Sequence, residues 1–178
     1  MSTKQILGSK KTPVRFSYAQ VFEPKAHSEG EEAKYSVAIL IDKSDKETLR
    51  KVKEGVEAAA ELYTSKFGGK LPKNYKSPLR DGDEEKPEDE NYENVMFFNA
   101  SSKHKPQIVD AKLDEIMDKD EFYSGCYGRV SINFFPFSGK SKGVAAGLNN
   151  IQKTKDGDRL GGGGTTAVDD FSDDDDLL

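Results

Sequence analysis

Residues 126–137 read CYGRVSINFFPF, and this stretch decides the fold class. Apolar side chains at Val130, Ile132 and Phe134 alternate with a second series at odd-numbered positions. The second series is aromatic, cationic or small and polar: Tyr127, Arg129, Ser131, Asn133, Phe135 and Phe137. Because successive side chains of a strand point to opposite faces, the stretch predicts a strand over 126–135 with one buried face and one face free to meet a ligand.

Four more segments show strand-like alternation, near residues 14–22, 34–42, 94–101 and 143–153. Their connections carry no regular crossover helices, which favours antiparallel pairing. Five short strands of this kind predict a mainly β chain, an OB-fold-like five-stranded antiparallel barrel with one main α-helix. An RRM-like sheet is the alternative, but that fold needs two packed helices and the sequence shows one.

The helix lies between the second and third strands. Ser44 and Glu47 match the capping-box pattern at its start, and Gly68 with Gly69 ends it. Apolar residues recur every three or four positions along it, which predicts one face packed on the barrel. After it, residues 70–93 form a long loop that starts basic and turns acidic, and a loop of this length is functional or disordered.

The chain ends in DDFSDDDDLL after a glycine run at residues 161–164, so we predict an OB-fold-like domain over 1–160 and a glycine-rich linker with a disordered acidic C-terminal tail over 161–178. The net charge is −5 and the six tail aspartates account for −6, so residues 1–168 carry +1. A near-neutral body with an attached polyanion suggests a body that binds another polyanion. The tail also holds apolar side chains, which solvation alone does not require.

Composition excludes several classes of protein. No apolar run is long enough to span a membrane, and MSTKQILGSKK at the N-terminus lacks a secretory core. The lone Cys126 fits a reducing cytoplasm, and two histidines are too few for most transition-metal sites. No Ser/His/Asp or Cys/His arrangement is persuasive. The sequence therefore predicts a cytoplasmic protein with no catalytic residue, no metal and no cofactor.

The odd-numbered face of residues 127–137 combines rings with cations, as single-strand-binding surfaces do, because bases stack on rings while cations hold the phosphates. Filling a core is the alternative role for each ring. The predicted stacking residues are Tyr127, Phe135 and Phe137. The predicted phosphate-binding residues are Arg15, Arg129, Lys140, Lys142 and Lys153. The sequence thus predicts single-stranded DNA as the ligand, without strong sequence preference.

The segments GCYGRVSINFFPF (125–137) and GKSKGVAAGLNNIQKTKDGDRLGGG (139–163), together with the acidic end, resemble a family of phage-encoded single-stranded DNA-binding proteins. The resemblance spans about residues 10–178. It implies an OB-fold protein that coats and protects single strands during phage DNA replication or recombination, and it favours a homodimer. It also implies an acidic C-terminus that recruits replication or recombination proteins such as a polymerase, helicase or recombinase.

The tail residues expected to bind such partners and to regulate DNA binding are Asp169, Asp170, Phe171, Asp173, Asp174, Asp175, Asp176, Leu177 and Leu178. One feature departs from bacterial single-strand-binding proteins, whose tails end in a terminal Phe, because this chain ends in Leu177 and Leu178. Two other functions stay open at this stage: an acidic DNA mimic or assembly protein that sequesters a basic partner, and, more distantly, a metal-dependent nuclease.

Overall fold

The elements below come from a computed structural model, which describes residues 2–26 and 28–160. Their order along the chain is β1 (Lys4–Leu7), β2 (Val14–Lys25), β3 (Lys34–Asp42), α1 (Lys46–Glu61), α2 (Tyr63–Phe67), β4 (Arg80–Asp81), α3 (Gly82–Glu85), a 3₁₀ turn (Glu90–Tyr92), β5 (Val95–Ser102), β6 (Gln107–Val109), β7 (Tyr127–Ser138) and β8 (Lys142–Lys155).

Five long strands close into a ring. The antiparallel pairs are β7–β2, β2–β3, β3–β5 and β7–β8, and a parallel pair, β5–β8, completes the circuit. The prediction of a mainly β, OB-fold-like barrel with one main helix is confirmed. Two details differ from the expectation: one of the five contacts is parallel, and three short strands are added, with β1 on β7, β4 on β5 and β6 on β8.

The two faces of β7 are as the alternation predicts. Every even-numbered residue from Gly128 to Pro136 is buried, while the odd-numbered residues are partly or largely exposed. The barrel interior is filled by the even series and by apolar residues of the other strands. Within it, the Phe134 and Phe98 rings lie 5.7 Å apart. A fully buried side chain of this size contributes about 1.5–3 kcal/mol, so the ring of strands is stabilised chiefly by this interior.

Helix α1 packs across the barrel with Val52, Val56 and Ala59 buried. Gly55 permits the approach, because a Cβ there would stand 2.4 Å from the Phe134 ring. The predicted cap is off by one residue: Asp45, not Ser44, accepts the Thr48 N–H at 3.1 Å. The Ser44 hydroxyl instead donates to Asp42, which stabilises the preceding turn.

The predicted single helix is divided at Leu62 into α1 and α2, and Gly68, with φ of 73°, ends α2. None of the helices formed by residues 2–26 and 28–160 is long and apolar enough to cross a membrane.

The acidic half of the long loop is anchored to the barrel, unlike the mobile loop that its charge pattern suggests. The Lys43 ammonium contacts Asp81 at 2.8 Å and Asp83 at 2.7 Å. Asp83 also accepts the Asn94 N–H at 3.1 Å. Gly82 is buried so closely that a Cβ would stand 2.2 Å from the Tyr92 carbonyl oxygen. Residues 80–93, here called the acidic segment, therefore have a defined position beside β5.

Candidate functional site

A cleft of about 1060 Å³ lies on the outer face of the barrel, over β2, β3 and β5. The acidic segment forms one of its walls, and the connection between β2 and β3 contributes to another. The residues that line it are Tyr18, Gln20, Lys25, Glu31, Glu32, Lys34, Ser36, Val37, Ala38, Arg80, Glu85, Lys86, Tyr92, Phe97, Asn99, Ala100, Ser101 and Lys103.

The floor of the cleft is made of small and polar side chains. Strand pairing aligns them in two rows across the sheet: Gln20, Ser36 and Ser101 in one, and Ala38 and Asn99 in the other. Side chains of this size leave depth for a planar group. The Gln20 Oε1 atom is buried and accepts no hydrogen bond from the described residues.

Tyr18 forms the rim of the cleft. Its backbone has φ of 47°, a left-handed conformation that is uncommon for a bulky residue, and it lies where the β2–β3 register shifts between Ser17 and Gln20. The shift turns its ring outward, where 51% of the residue is exposed. Strained residues of this kind cluster at binding sites, which makes the rim a candidate contact.

Tyr92 closes one end of the cleft from the acidic segment. Its hydroxyl donates to Ser17 Oγ at 3.3 Å, and its ring meets Phe97 edge-on at 5.0 Å. Burial raises the pKa of the Tyr92 hydroxyl to about 12, so the hydroxyl stays protonated at neutral pH. The hydroxyl therefore remains a hydrogen-bond donor, and the acidic segment is tied to β2 as well as to Lys43.

Cations outnumber carboxylates along the cleft, five to three. Two ion pairs are formed, Lys103 with Glu32 at 3.2 Å and Arg80 with Glu85 at 3.6 Å. The remaining cations have no carboxylate oxygen of the described residues within 4.0 Å: Lys25, Lys34 and Lys86. The cleft is thus suited to a polyanion with planar groups.

Some of the residues predicted from sequence lie together elsewhere, at the start of β7. The Arg15 guanidinium lies over the Tyr127 ring, 5.1 Å from its centre, and donates to the Gly125 and Asp158 carbonyl oxygens. Lys153 is only 15% exposed at its side chain and contacts Asp156 at 2.6 Å. Burial alone would lower the pKa of Lys153, but the Asp156 carboxylate raises it overall, so this cation is already paired.

The other predicted residues follow β7 toward its far end. Arg129 donates to Gln152 Oε1 at 3.4 Å, and its buried Nε has no partner among the described residues. Phe135 is 38% exposed, and its ring lies 3.6 Å from where a Cβ on Gly147 would stand. Phe137 is half-buried opposite Gly143. Lys140 and Lys142 are exposed at the turn between β7 and β8.

The predicted residues therefore form no single pocket, and none of them lines the cleft. Tyr127 and Phe137 are ten residues apart on one strand, about 33 Å. The predicted residues of the tail lie outside the described residues. Leu160, the last described residue, packs in one cluster with Tyr92 and Phe97 beside the cleft.

Sequence reasoning missed the cleft because its floor has no chemical signature. The available signal was weak. Polar residues at Asn99 and Ser101 alternate with apolar ones in β5, and lysines lie at the ends of β3 and β5. Tyr18 and the acidic segment come from distant parts of the chain, and their meeting depends on strand pairing.

The closed five-stranded barrel with a cationic, aromatic cleft on one face has the architecture of an OB-fold protein. A family model described as the ssDNA-binding protein of Enterobacter phage Enc34 matches residues 3–178. The chain belongs to this family of phage single-stranded DNA-binding proteins.

Individual proteins are similar to this chain over most of its length. Protein p50 of Acyrthosiphon pisum secondary endosymbiont phage 1 is 32% identical over 170 residues, which is 90% of either chain. The solved structure of the bacteriophage Enc34 single-stranded DNA-binding protein with ssDNA is 24% identical over 84% of this chain and 87% of that one, with a TM-score of 0.73. The gp2.5 protein of bacteriophage T7, also a single-stranded DNA-binding protein, is 14% identical over 92% and 97%, with a TM-score of 0.56. The two structural likenesses show the fold.

Proposed function

We propose that this protein binds single-stranded DNA in the cleft over β2, β3 and β5. The observation that carries the proposal is the combination in one groove of an exposed Tyr18 ring, a floor of small side chains and three lysines without carboxylate partners. Oligonucleotides bind OB-folds on this face and on the adjoining loops. Aromatic stacking and phosphate neutralisation both tolerate any base, so binding is sequence-nonspecific.

The DNA path continues from the cleft toward the face predicted from sequence. Ser101 on the cleft floor pairs with Gly147 of β8, and Gly147 supports the Phe135 ring. A strand that leaves the cleft across β5 and β8 therefore meets Phe135, then Phe137 and the lysines of the hairpin turn. This arrangement combines the cleft and part of the predicted set in one extended surface.

In the cell, we infer that the protein coats and protects single strands during phage DNA replication or recombination. Its place of action is the host cytoplasm. Its role is binding without catalysis. Membership of a family of phage single-stranded DNA-binding proteins supports this role. Duplex DNA is a poor ligand because its bases are not available for stacking.

The acidic tail regulates this binding and recruits replication proteins. Its attachment point supports the first role, because Leu160 contacts the same cluster as Tyr92 and Phe97, which line the cleft. Six carboxylates attached beside a cationic groove compete there with phosphates. Its apolar residues Phe171, Leu177 and Leu178 give a partner protein something to recognise besides charge.

The test is a fluorescence titration of the full chain with labelled oligo(dT), with duplex DNA as the comparison. Lys34→Glu places a carboxylate in the cleft and should weaken binding at least tenfold at low salt, whereas Lys70→Glu, an exposed lysine outside the cleft, makes the same charge change and should have a much smaller effect. Equal effects of the two substitutions would remove the cleft from the binding site. No oligo(dT) binding, even after deletion of residues 169–178, would favour a protein that sequesters a basic partner instead.

A further inference from the structure

Lys86 occupies an unusual position in the cleft. Its ammonium lies 5.0 Å from the centre of the Tyr18 ring and 4.9 Å from that of the Tyr92 ring, and the two rings are 6.4 Å apart. These distances place Nζ over both rings rather than between them. Both separations are within the range at which a cation is attracted to an aromatic face.

The ammonium makes this contact although carboxylates surround it in sequence. Six acidic residues lie within four positions of Lys86: Asp83, Glu84, Glu85, Glu88, Asp89 and Glu90. None of them places an oxygen within 4.0 Å of Nζ, and Lys86 is half-buried whereas its neighbours Glu85 and Pro87 are exposed. The aromatic faces are therefore its partners in the free protein, and it turns inward where its neighbours turn out.

Backbone hydrogen bonds hold the main chain at Lys86 in place. The Lys86 N–H donates to the Gly82 carbonyl at 2.9 Å, and the Lys86 carbonyl accepts the Asp89 N–H at 3.1 Å. The contacts of Lys43 with Asp81 and Asp83 hold the start of the acidic segment. A lysine side chain has a flexible four-carbon stem, so its ammonium can change partners without movement of the segment.

We propose that Lys86 exchanges partners when single-stranded DNA binds. In the free protein its ammonium covers the face of Tyr18 on which a base would stack. An entering base takes that face, and the displaced ammonium pairs with the phosphate of the same strand. Lys86 is thus both a competitor for the stacking position and a phosphate ligand. This inference rests on the proposed function of the cleft.

The exchange has a consequence for specificity. An acidic peptide without aromatic side chains can pair with Lys86 but has no planar group to take the Tyr18 face, so it gains only one of the two contacts. A nucleic acid strand gains both the stack and the ion pair. Lys86 therefore favours single-stranded DNA over polyanions that carry no planar group.

Nuclear magnetic resonance of protein with ¹³C-labelled lysine tests whether the Lys86 ammonium leaves the two rings when DNA binds. The Lys86 ε-CH₂ signal, assigned by its loss in Lys86→Gln, should lie upfield in the free protein because of the two rings. Saturation with oligo(dT) should move it to the ordinary lysine position. Oligo(dT) that binds but leaves the signal upfield overturns the exchange and leaves the proposed function intact. Absence of oligo(dT) binding overturns the proposed function, while the upfield signal of the free protein remains.

Salt titration tests whether the displaced Lys86 ammonium pairs with a phosphate of the bound strand. Loss of one phosphate contact should reduce the slope of log K against log salt by about 0.7 in Lys86→Gln. The variant should bind several-fold more weakly at low salt, because it lacks the ion pair. It should bind at least as tightly at high salt, because the ion pair is screened there and the substitution has removed the ammonium that competes for the Tyr18 face. Lys66→Gln is the matched control, because Lys66 lies 5.6 Å over the Phe67 ring on α2, outside the cleft. Equal slopes of log K against log salt for native protein and Lys86→Gln would overturn the proposal.

Discussion

At the scale of single residues, Tyr18 is the ring that the cleft presents most openly. Tyr18→Ala should weaken oligo(dT) binding by about 1–3 kcal/mol, roughly 5- to 150-fold, because one base–aromatic stack is lost. The measurement is a fluorescence titration at fixed salt. Phe67→Ala removes another exposed ring, outside the cleft, and should leave the affinity unchanged. Equal affinity of Tyr18→Ala and the native protein would exclude Tyr18 from the site.

Phe135 tests whether bound DNA extends from the cleft to the exposed face of β7 that the sequence predicted as the binding face. If the strand continues past Gly147, Phe135→Ala should weaken the binding of long oligo(dT) by about 1–3 kcal/mol and leave the binding of short oligo(dT) unchanged. The reason is that a short strand fills the cleft without reaching β7. Titration with a series of lengths measures the difference. Unchanged affinity at every length would remove Phe135 from the DNA path.

At the scale of secondary-structure elements, the pairing of β7 with β8 is the longest contact of the barrel and depends on Gly128. A Cβ at this position would stand 1.9 Å from the Gln152 carbonyl oxygen across the pair. Gly128→Ala should therefore lower the free energy of unfolding by about 1–3 kcal/mol, as overpacking does. Urea denaturation measures it. Gly139→Ala, in the hairpin turn with no atom within 4 Å of the new Cβ, should cost much less; similar losses for both would contradict the steric explanation.

The acidic segment is held by charge, so its attachment should depend on pH. Hydrogen bonds from Lys43 lower the pKa values of Asp81 and Asp83, and the same contacts raise the pKa of Lys43. A carboxylate with a depressed pKa stabilises the folded state above its ordinary value, near 4, and that contribution is lost as the pH falls through the depressed pKa. The raised pKa of Lys43 acts in the opposite direction: its contribution is complete below the ordinary lysine value and is lost as the pH rises through the raised one.

Lys43→Met should therefore loosen the acidic segment at neutral pH and make no difference once both aspartates are protonated in acid. Hydrogen exchange of the Asn94 amide, which donates to Asp83, is a local measure of this attachment. Lys70→Met removes an exposed lysine outside these contacts and should leave the exchange unchanged. An equal difference between native protein and Lys43→Met at neutral and acid pH would contradict the ionic attachment.

At the scale of the whole molecule, the cleft and the origin of the tail are adjacent. Eighteen residues follow Leu160, a length that reaches at most about 60 Å, so all of the cleft is within range. Deletion of residues 169–178 should tighten oligo(dT) binding on the order of tenfold at low salt and much less at high salt, because screening weakens the competitor. Titration at two salt concentrations measures this, and equal affinities at low salt would contradict competition.

The same deletion should abolish binding of a replication protein that recognises the tail. Substitution of Phe171, Leu177 and Leu178 by Ala, with every aspartate kept, separates the two roles. We expect this variant to bind oligo(dT) like the native protein but to lose the partner, as a pull-down with purified phage replication proteins would show. Retention of the partner would mean that charge alone is recognised.

Much of the fold could be predicted because local patterns of apolar and polar residues determine it. The period-two alternation in residues 126–137 determines which side chains of β7 enter the barrel, since backbone geometry alone sends neighbouring residues to opposite faces. The five long strands and the helix between the second and third follow from the same kind of signal. The cap at Asp45 did not, because a competing side-chain hydrogen bond between Ser44 and Asp42 decides it. The break at Leu62 did not follow from a local signal either.

The sequence by itself determined the five long strands, the main helix, the buried face of β7 and the concentration of negative charge at the C-terminus. Only the tertiary structure decided where the candidate site lies. Tyr18, Lys86 and Ser101 are far apart in the chain, and strand register together with the Lys43 contacts brings them into one cleft. Local periodicity determines which face of its own strand a side chain takes. Pairing between distant strands determines which faces become neighbours, and the pattern of one strand carries no information about the register of another.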